Sequence, residues 1–145
     1  MKIESSWTIA AERETVWTAL QTPEFLASCI PGCQKLESTG EDTYDISLTA
    51  GLASISATYT GRVSVTDKRH PESYRMVLEA EGSGGFVKGE AIVSLAVENK
   101  WTEVRIAGDV QVSGVVARVG QRLMGSASQM LMNQFFGCMK GRIES

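Results

Sequence analysis

Histidine, cysteine and paired carboxylates are the side chains that most often carry chemistry, and this chain offers few of them. Its one histidine, His70, sits in the charged turn Lys68-Arg69-His70-Pro71-Glu72. A general base needs a pocket and a hydrogen-bonding partner. A hairpin tip offers neither, so no histidine triad and no histidine-containing zinc site is expected. Cys29 and Cys33 are spaced Cys-x3-Cys, not Cys-x2-Cys, around Pro31-Gly32, while Cys138 falls on an apolar helical face. No fourth ligand is visible, so no metal is expected. An odd count of three cysteines without a secretory signal reads as reduced thiols in a cytoplasmic protein, with Cys138 a small buried hydrophobe. Gly82-Ser83-Gly84-Gly85 lacks the Gly-Lys-Ser/Thr ending of a phosphate cradle and connects two strands. Asp45, Glu79, Glu81, Glu90, Glu103 and Asp109 all fall opposite their strands' apolar sides, whereas a paired-carboxylate mechanism needs two on the inner face. No catalytic residue and no cofactor is expected.

The elements that would position these residues follow from periodicity. Residues 2–9 alternate as a first strand, with Ile3, Ser5, Trp7 and Ile9 on one face. Ala11–Leu20 switches to helical spacing, burying Val16, Trp17 and Leu20, and Thr22-Pro23 opens a second short helix through Ser28. Strands are expected at 33–38, 43–49, 53–67, 73–82, 86–97 and 101–112, joined by turns at His70-Pro71, Gly82–Gly85 and Asn99-Lys100. A helix from Ser113 to Ile143 ends the chain, about 45 Å long at 1.5 Å per residue. Its apolar face reads Val116, Val119, Leu123, Ala127, Met130, Leu131, Phe135 and Cys138, with Arg118, Arg122, Gln129, Asn133 and Lys140 opposite. Its glycines, Gly120, Gly125, Gly137 and Gly141, disfavour a helix by propensity, so packing must hold it. Two uses for them stay open: lidding a cavity, or close contact of helix with sheet.

The bulk numbers fit one α+β domain over residues 1–145, with a sheet of about seven antiparallel strands covered by that helix. A net charge of −3 with scattered basic residues argues against nucleic-acid binding, and no uncharged run is fit to span a bilayer.

Motif order then adds a resemblance over essentially the whole chain. Trp7-Thr8-Ile9, Val16-Trp17, Leu20 and Pro23 resemble the opening of the START and Bet v 1-like superfamily, whose polyketide cyclase-related members share a helix-grip fold. Cys29-Ile30-Pro31-Gly32-Cys33, Tyr59-Thr60-Gly61-Arg62-Val63, the stretch Gly82–Gly89 and Gln134-Phe135-Phe136 are similar to the carbon monoxide dehydrogenase G-subunit family. The resemblance implies a helix-grip fold and an accessory role to a molybdenum CO dehydrogenase-type (molybdenum hydroxylase) oxidoreductase, in membrane recruitment or in handling an apolar quinone. It also implies peripheral contact with the inner face of the membrane. Some members look longer at the carboxyl end, and attachment through such a segment is not expected of a sequence ending at Ser145.

The residues and the resemblance converge on non-catalytic binding of a hydrophobic small molecule, quinone- or lipid-like. The inward stripe is rich in small side chains (Ala57, Gly61, Ala80, Gly89, Ala91, Gly108, Gly120, Ala127), which fill less volume than Leu or Phe would. A cavity between sheet and final helix is expected, walled by Ala57, Tyr59, Met76, Leu123, Ala127, Met130 and Gln134. The Ile30-Pro31-Gly32 turn forms its mouth, beside the Gly82–Phe86 turn, with Phe86 as an apolar gate. A second apolar line on the helix, Met132, Phe136, Met139 and Ile143, reads as an interface for a homodimer, an oxidoreductase or a membrane, unless the amino-terminal strand or a loop covers it. Two other readings stay open, an aromatase/cyclase-like enzyme and a ligand-free interaction module.

Overall fold

In the computed structural model, seven antiparallel strands form one sheet of order β1-β7-β6-β5-β4-β3-β2. The structure describes residues 2–52, 55–82, 85–113 and 124–144, and of 50–52, 55–57, 112, 124–128 and 131 the backbone alone. The elements run β1 (Lys2–Ile9), α1 (Arg13–Leu20), α2 (Pro23–Cys29), β2 (Cys33–Gly40), β3 (Thr43–Leu52), β4 (Ile55–Arg69), β5 (Ser73–Gly82), β6 (Gly85–Glu98), β7 (Trp101–Val112) and α3 (Met124–Glu144). The expected strands all form, and those at 73–82 and 101–112 have the expected bounds. Of the long final helix, α3 is the described part; 114–123, with Val116, Val119, Gly120 and Leu123, lies outside the described residues.

Alternation decides the faces. Register places Leu95, Val104 and Trp7 in one transverse row, Tyr74, Val93, Ile106 and Ser5 in the next, then Val65, Met76, Ala91, Gly108 and Ile3. Tyr44, Val63, Leu78, Gly89 and Val110 follow, then Ile46, Gly61, Ala80 and Val87, and last Leu48, Tyr59, Gly82 and Gly85. These rows are the inner face. The carboxylates expected to face outward do so, and Glu79, Glu81, Glu90 and Asp109 are exposed.

Two of the small residues on that face answer to close contact between strands. A Cβ at Gly61 would stand 1.9 Å from the Glu79 carbonyl oxygen, and one at Gly108 would stand 2.3 Å from that of Glu90. The neighbouring backbones approach too closely there for any side chain.

The core lies at one end. Ile9, Val16, Trp17, Leu20, Tyr74, Val93, Leu95, Val104, Phe136 and Met139 form one buried cluster, bringing α1 and α3 onto β1, β5, β6 and β7. Thr102, fully buried beside them, donates its hydroxyl to the Ala11 carbonyl at 2.8 Å. α3 lies along β1: Ser5 donates to Gln129 at 3.0 Å, Lys140 donates to the Thr8 carbonyl, and Glu144 accepts from the Ala10 amide.

Burial, with the Tyr44 phenol nearby, pushes the Tyr74 hydroxyl pKa up from its ordinary value of about 10. The folded chain therefore keeps a proton that the unfolded chain releases above pH ~10. This contribution is complete below that pH and is lost as pH rises further. Melting temperatures measured between pH 8 and 11.5 should fall above pH ~10 more steeply for wild type than for Tyr74→Phe.

Candidate functional site

Between the buried cluster under α1 and α3 and a second one at Tyr59 and Ala80 runs a strip of inner face that is only partly covered. Met76, Leu78, Val63, Val87, Ala91, Gly89, Gly108 and Val110 make up its surface, each intermediate in exposure. Along β5 the strip extends from Tyr74 to Ala80, about 20 Å at 3.3 Å per residue. α3 packs against β1 and α2, to one side of it. The strip is an apolar wall, and the described Asp, Glu, Lys and Arg side chains of the strands that form it point outward or sit at hairpin ends. Among the described residues of β3, β4 and β5, the inward polar groups are Tyr44, Tyr59 and Tyr74. Among the described residues no group of three or more His, Cys, Asp or Glu is placed to hold a metal.

Tyr59 stands at the end of this wall. Its exposure is 5%, and Ala80, Leu78 and Val87 pack around it. Its ring lies over the β5 backbone, where a Cβ at Gly82 would come within 3.1 Å of Tyr59 Cδ1. The hydroxyl oxygen is buried without a hydrogen-bond partner among the described residues, and burial raises its pKa.

The geometry therefore offers a surface that can hold an apolar molecule, with one unused polar atom at its end. The family model for the carbon monoxide dehydrogenase G-subunit (CoxG) matches residues 6–144. The chain belongs to the CoxG family. A conserved protein from Geobacillus kaustophilus is similar at 32% identity and TM-score 0.93, over 99% of this chain and 95% of that one. The ZhuI aromatase/cyclase from Streptomyces sp. R1128 shares the fold at 15% identity and TM-score 0.73, over 99% and 93% of the two chains. A START superfamily protein from Mycobacterium smegmatis does so at 15% and 0.70, over 99% and 97%. Comparison with curated protein sequences returns no match. The helix-grip architecture of START and Bet v 1-like proteins is thus the fold of this CoxG chain.

The expected site is brought together only in part. Tyr59 and Met76 lie on the inner face, Tyr59 buried and Met76 packed against the main core. The side chains of Ala57 and Ala127, and all of Leu123, lie outside the described residues. Met130, 55% exposed, and Gln134 face away from the core. The reason is helical phase: at 100° per residue they stand opposite Phe136 and Met139, which α3 turns inward.

Phe86 is not a gate to this face. It pairs with Glu81 in register, on the outer side, and is 43% exposed, while its neighbour Val87 turns inward. With Lys35, Asp45, Ser47, Thr60, Arg62, Glu79 and Lys88 it borders a groove of about 740 Å³ on the outer face. Two of the charge pairs there are Lys88 with Glu79 at 3.6 Å and Arg62 with Asp45 at 4.0 Å, both solvent-exposed. The Ile30–Gly32 turn does share an end of the sheet with the Gly82–Gly85 turn, since Cys33, Leu48, Tyr59, Gly82 and Gly85 are successive partners. Thr49 donates its amide to the Gly32 carbonyl at 2.9 Å, and Gly32 takes φ +74° against the Thr49 backbone. That contact leaves no room for a Cβ.

The line read as an interface is instead core. Phe136 and Met139 are 4% and 0% exposed, and Ile143 packs beside them, with Met132 half-buried. β1 supplies the cover: the Trp7 and Phe136 rings stack with centroids 4.0 Å apart. A Cβ at Gly137 or Gly141 would meet nothing within 4 Å, so neither glycine serves close packing.

The cysteines are corrected too. Cys29 and Cys138 form a disulfide, with Cα atoms 5.5 Å apart, that ties α2 to α3. Cys33 is the free thiol; its Sγ donates to the Lys35 carbonyl, and burial pushes its pKa up.

Proposed function

We propose that this CoxG-family protein binds a hydrophobic small molecule, quinone- or lipid-like, on the inner face of its sheet and performs no chemistry on it. It does so as an accessory to a molybdenum CO dehydrogenase-type oxidoreductase or to that enzyme's recruitment at the inner face of the membrane. One observation carries the reading: a partly covered apolar strip about 20 Å long lies between two buried clusters. Interiors do not ordinarily leave such a strip half-packed, and apolar surface with sparse polar groups is what small-molecule sites are made of. Family membership supports the accessory role. An aromatase/cyclase activity would require acid–base groups turned inward, and among the described strand residues around the strip these are phenols, whose high ordinary pKa makes them poor general bases near neutral pH.

Native mass spectrometry of the purified protein, followed by organic extraction, tests this. The expected result is release of a neutral apolar molecule, and saturable uptake of a fluorescent apolar probe by the extracted protein. An extracted protein that stays folded and takes up no such probe would be an interaction module with a packed interior.

A further inference from the structure

Among the described residues, one inner-face hydroxyl is fully buried with no hydrogen-bond partner. Buried hydroxyls are nearly always paired, because an unpaired one forfeits its hydration with no return. Tyr59 Oη is buried without a partner among the described residues; Gln21 Nε2, just past α1, is the other such atom. The described surroundings of Tyr59 offer it none: Leu78, Ala80 and Val87 are hydrocarbon, and the neighbouring amides and carbonyls of β4 and β5 serve the sheet ladder. A phenylalanine would fill the same space and need nothing.

We propose that Tyr59 Oη donates a hydrogen bond to a single carbonyl or hydroxyl oxygen on an otherwise apolar ligand, and so determines which apolar molecules the site accepts. This rests on the inner-face binding site argued above. A phenol is protonated at neutral pH, and burial raises this one's pKa further, so it is a donor there. One neutral donor in a hydrocarbon wall favours ketones, quinones, esters and alcohols over pure hydrocarbons. It disfavours ionised heads, because Arg62, Arg75 and Lys88 all stand on the outer face and no inward cation is present among the strip residues to offset their desolvation.

The test compares wild type with Tyr59→Phe, using 2-acetylnaphthalene, its oxygen-free isostere 2-isopropenylnaphthalene, and the charged 2-naphthoate. Wild type should bind the ketone about tenfold more tightly than the hydrocarbon, and the carboxylate most weakly. In the variant the ketone preference should vanish while hydrocarbon affinity stays as it was. The ligand-free variant should also melt about 2–4 °C higher, since an unpaired buried hydroxyl has been removed. A ketone preference that survives in the variant, or a lower melting temperature with that preference intact, assigns Tyr59 a structural role and overturns the proposal. Failure of wild type to bind either neutral probe removes the site itself, and the proposal with it, an outcome distinct from a retained preference.

Discussion

Reduction of the Cys29–Cys138 bond should lower the melting temperature by about 13–17 °C. The bond joins residues 109 apart in sequence, so it closes a loop that contains every strand but β1. In the chain-entropy account a cross-link of that span stabilises by about 4–5 kcal/mol, chiefly by restricting the unfolded chain. For a domain of 145 residues, unfolding entropy near the midpoint is about 0.3 kcal/mol per kelvin, which sets the size of the shift. The loss would be about a quarter or more of the stability of a typical domain, about 5–15 kcal/mol in all. The effect should be local as well, because the bond anchors α3 to α2, and α3 has few propensity-driven reasons to stay formed. Gly137 and Gly141 interrupt it without packing in return. Thermal melting with and without dithiothreitol, on wild type, Cys138→Ser and Cys33→Ser, checks this. Cys33→Ser should respond to reductant as wild type does, while Cys138→Ser should match reduced wild type. Alkylation under native, non-reducing conditions should label one thiol per chain, Cys33, and three after unfolding and reduction. Three labelled thiols at the start, or a melting temperature indifferent to reductant, would remove the cross-link from the account.

Phe136→Ala should destabilise the protein by about 3–5 kcal/mol, the range for emptying a buried aromatic site. Phe136 is 4% exposed, stacked on Trp7 and in edge contact with Phe135. It therefore loses both its buried area and a stacking term of about 0.5–1.5 kcal/mol. The cavity would open between β1 and α3, where Met139 is fully buried and β1 offers little freedom to collapse, being paired along its whole length with β7. Urea unfolding should show a lower midpoint at unchanged slope, and Trp7 emission should shift toward that of a hydrated indole. Self-association and vesicle binding should not change. Met130→Ser is the contrasting variant: Met130 is 55% exposed, and its replacement should move stability by no more than about 0.5 kcal/mol. A Phe136→Ala protein of normal stability but altered association would return that line of the helix to the surface.

Much of this architecture is written in local pattern. A strand's alternation is a property of the strand itself, so Ile3, Ser5, Trp7 and Ile9 can be set on one face from the sequence, as can the outward carboxylates and the wall position of Tyr59. The same alternation that turns Val87 inward turns Phe86 outward, so the place of Phe86 is legible too: parity outranks nearness to a turn. The phase of α3 is not legible. It carries apolar residues on two sides, Met130, Leu131 and Cys138 on one and Met132, Phe136, Met139 and Ile143 on another. A helical period says only that residues share a side. Which side is buried is decided by what lies across from it, here β1 from the far end of the chain, with Trp7 shaped to receive Phe136.

The cysteines and Tyr59 show the same division. Spacing makes Cys29 and Cys33 look like neighbours, whereas folding sets Cys29 beside Cys138 through contacts of α2 with α3 that no local pattern encodes. Gly61 and Gly108 read as vacant volume in the sequence, because a missing side chain looks alike whether it leaves room for a ligand or for another strand. Only the 1.9 Å and 2.3 Å approaches of neighbouring carbonyls tell the two apart. Tyr59's place on the wall comes from its own residue type and parity. That its hydroxyl has no partner among the described residues depends on the atoms around it, and hydrogen bonds are settled by distances in space, which a chain acquires only when it folds.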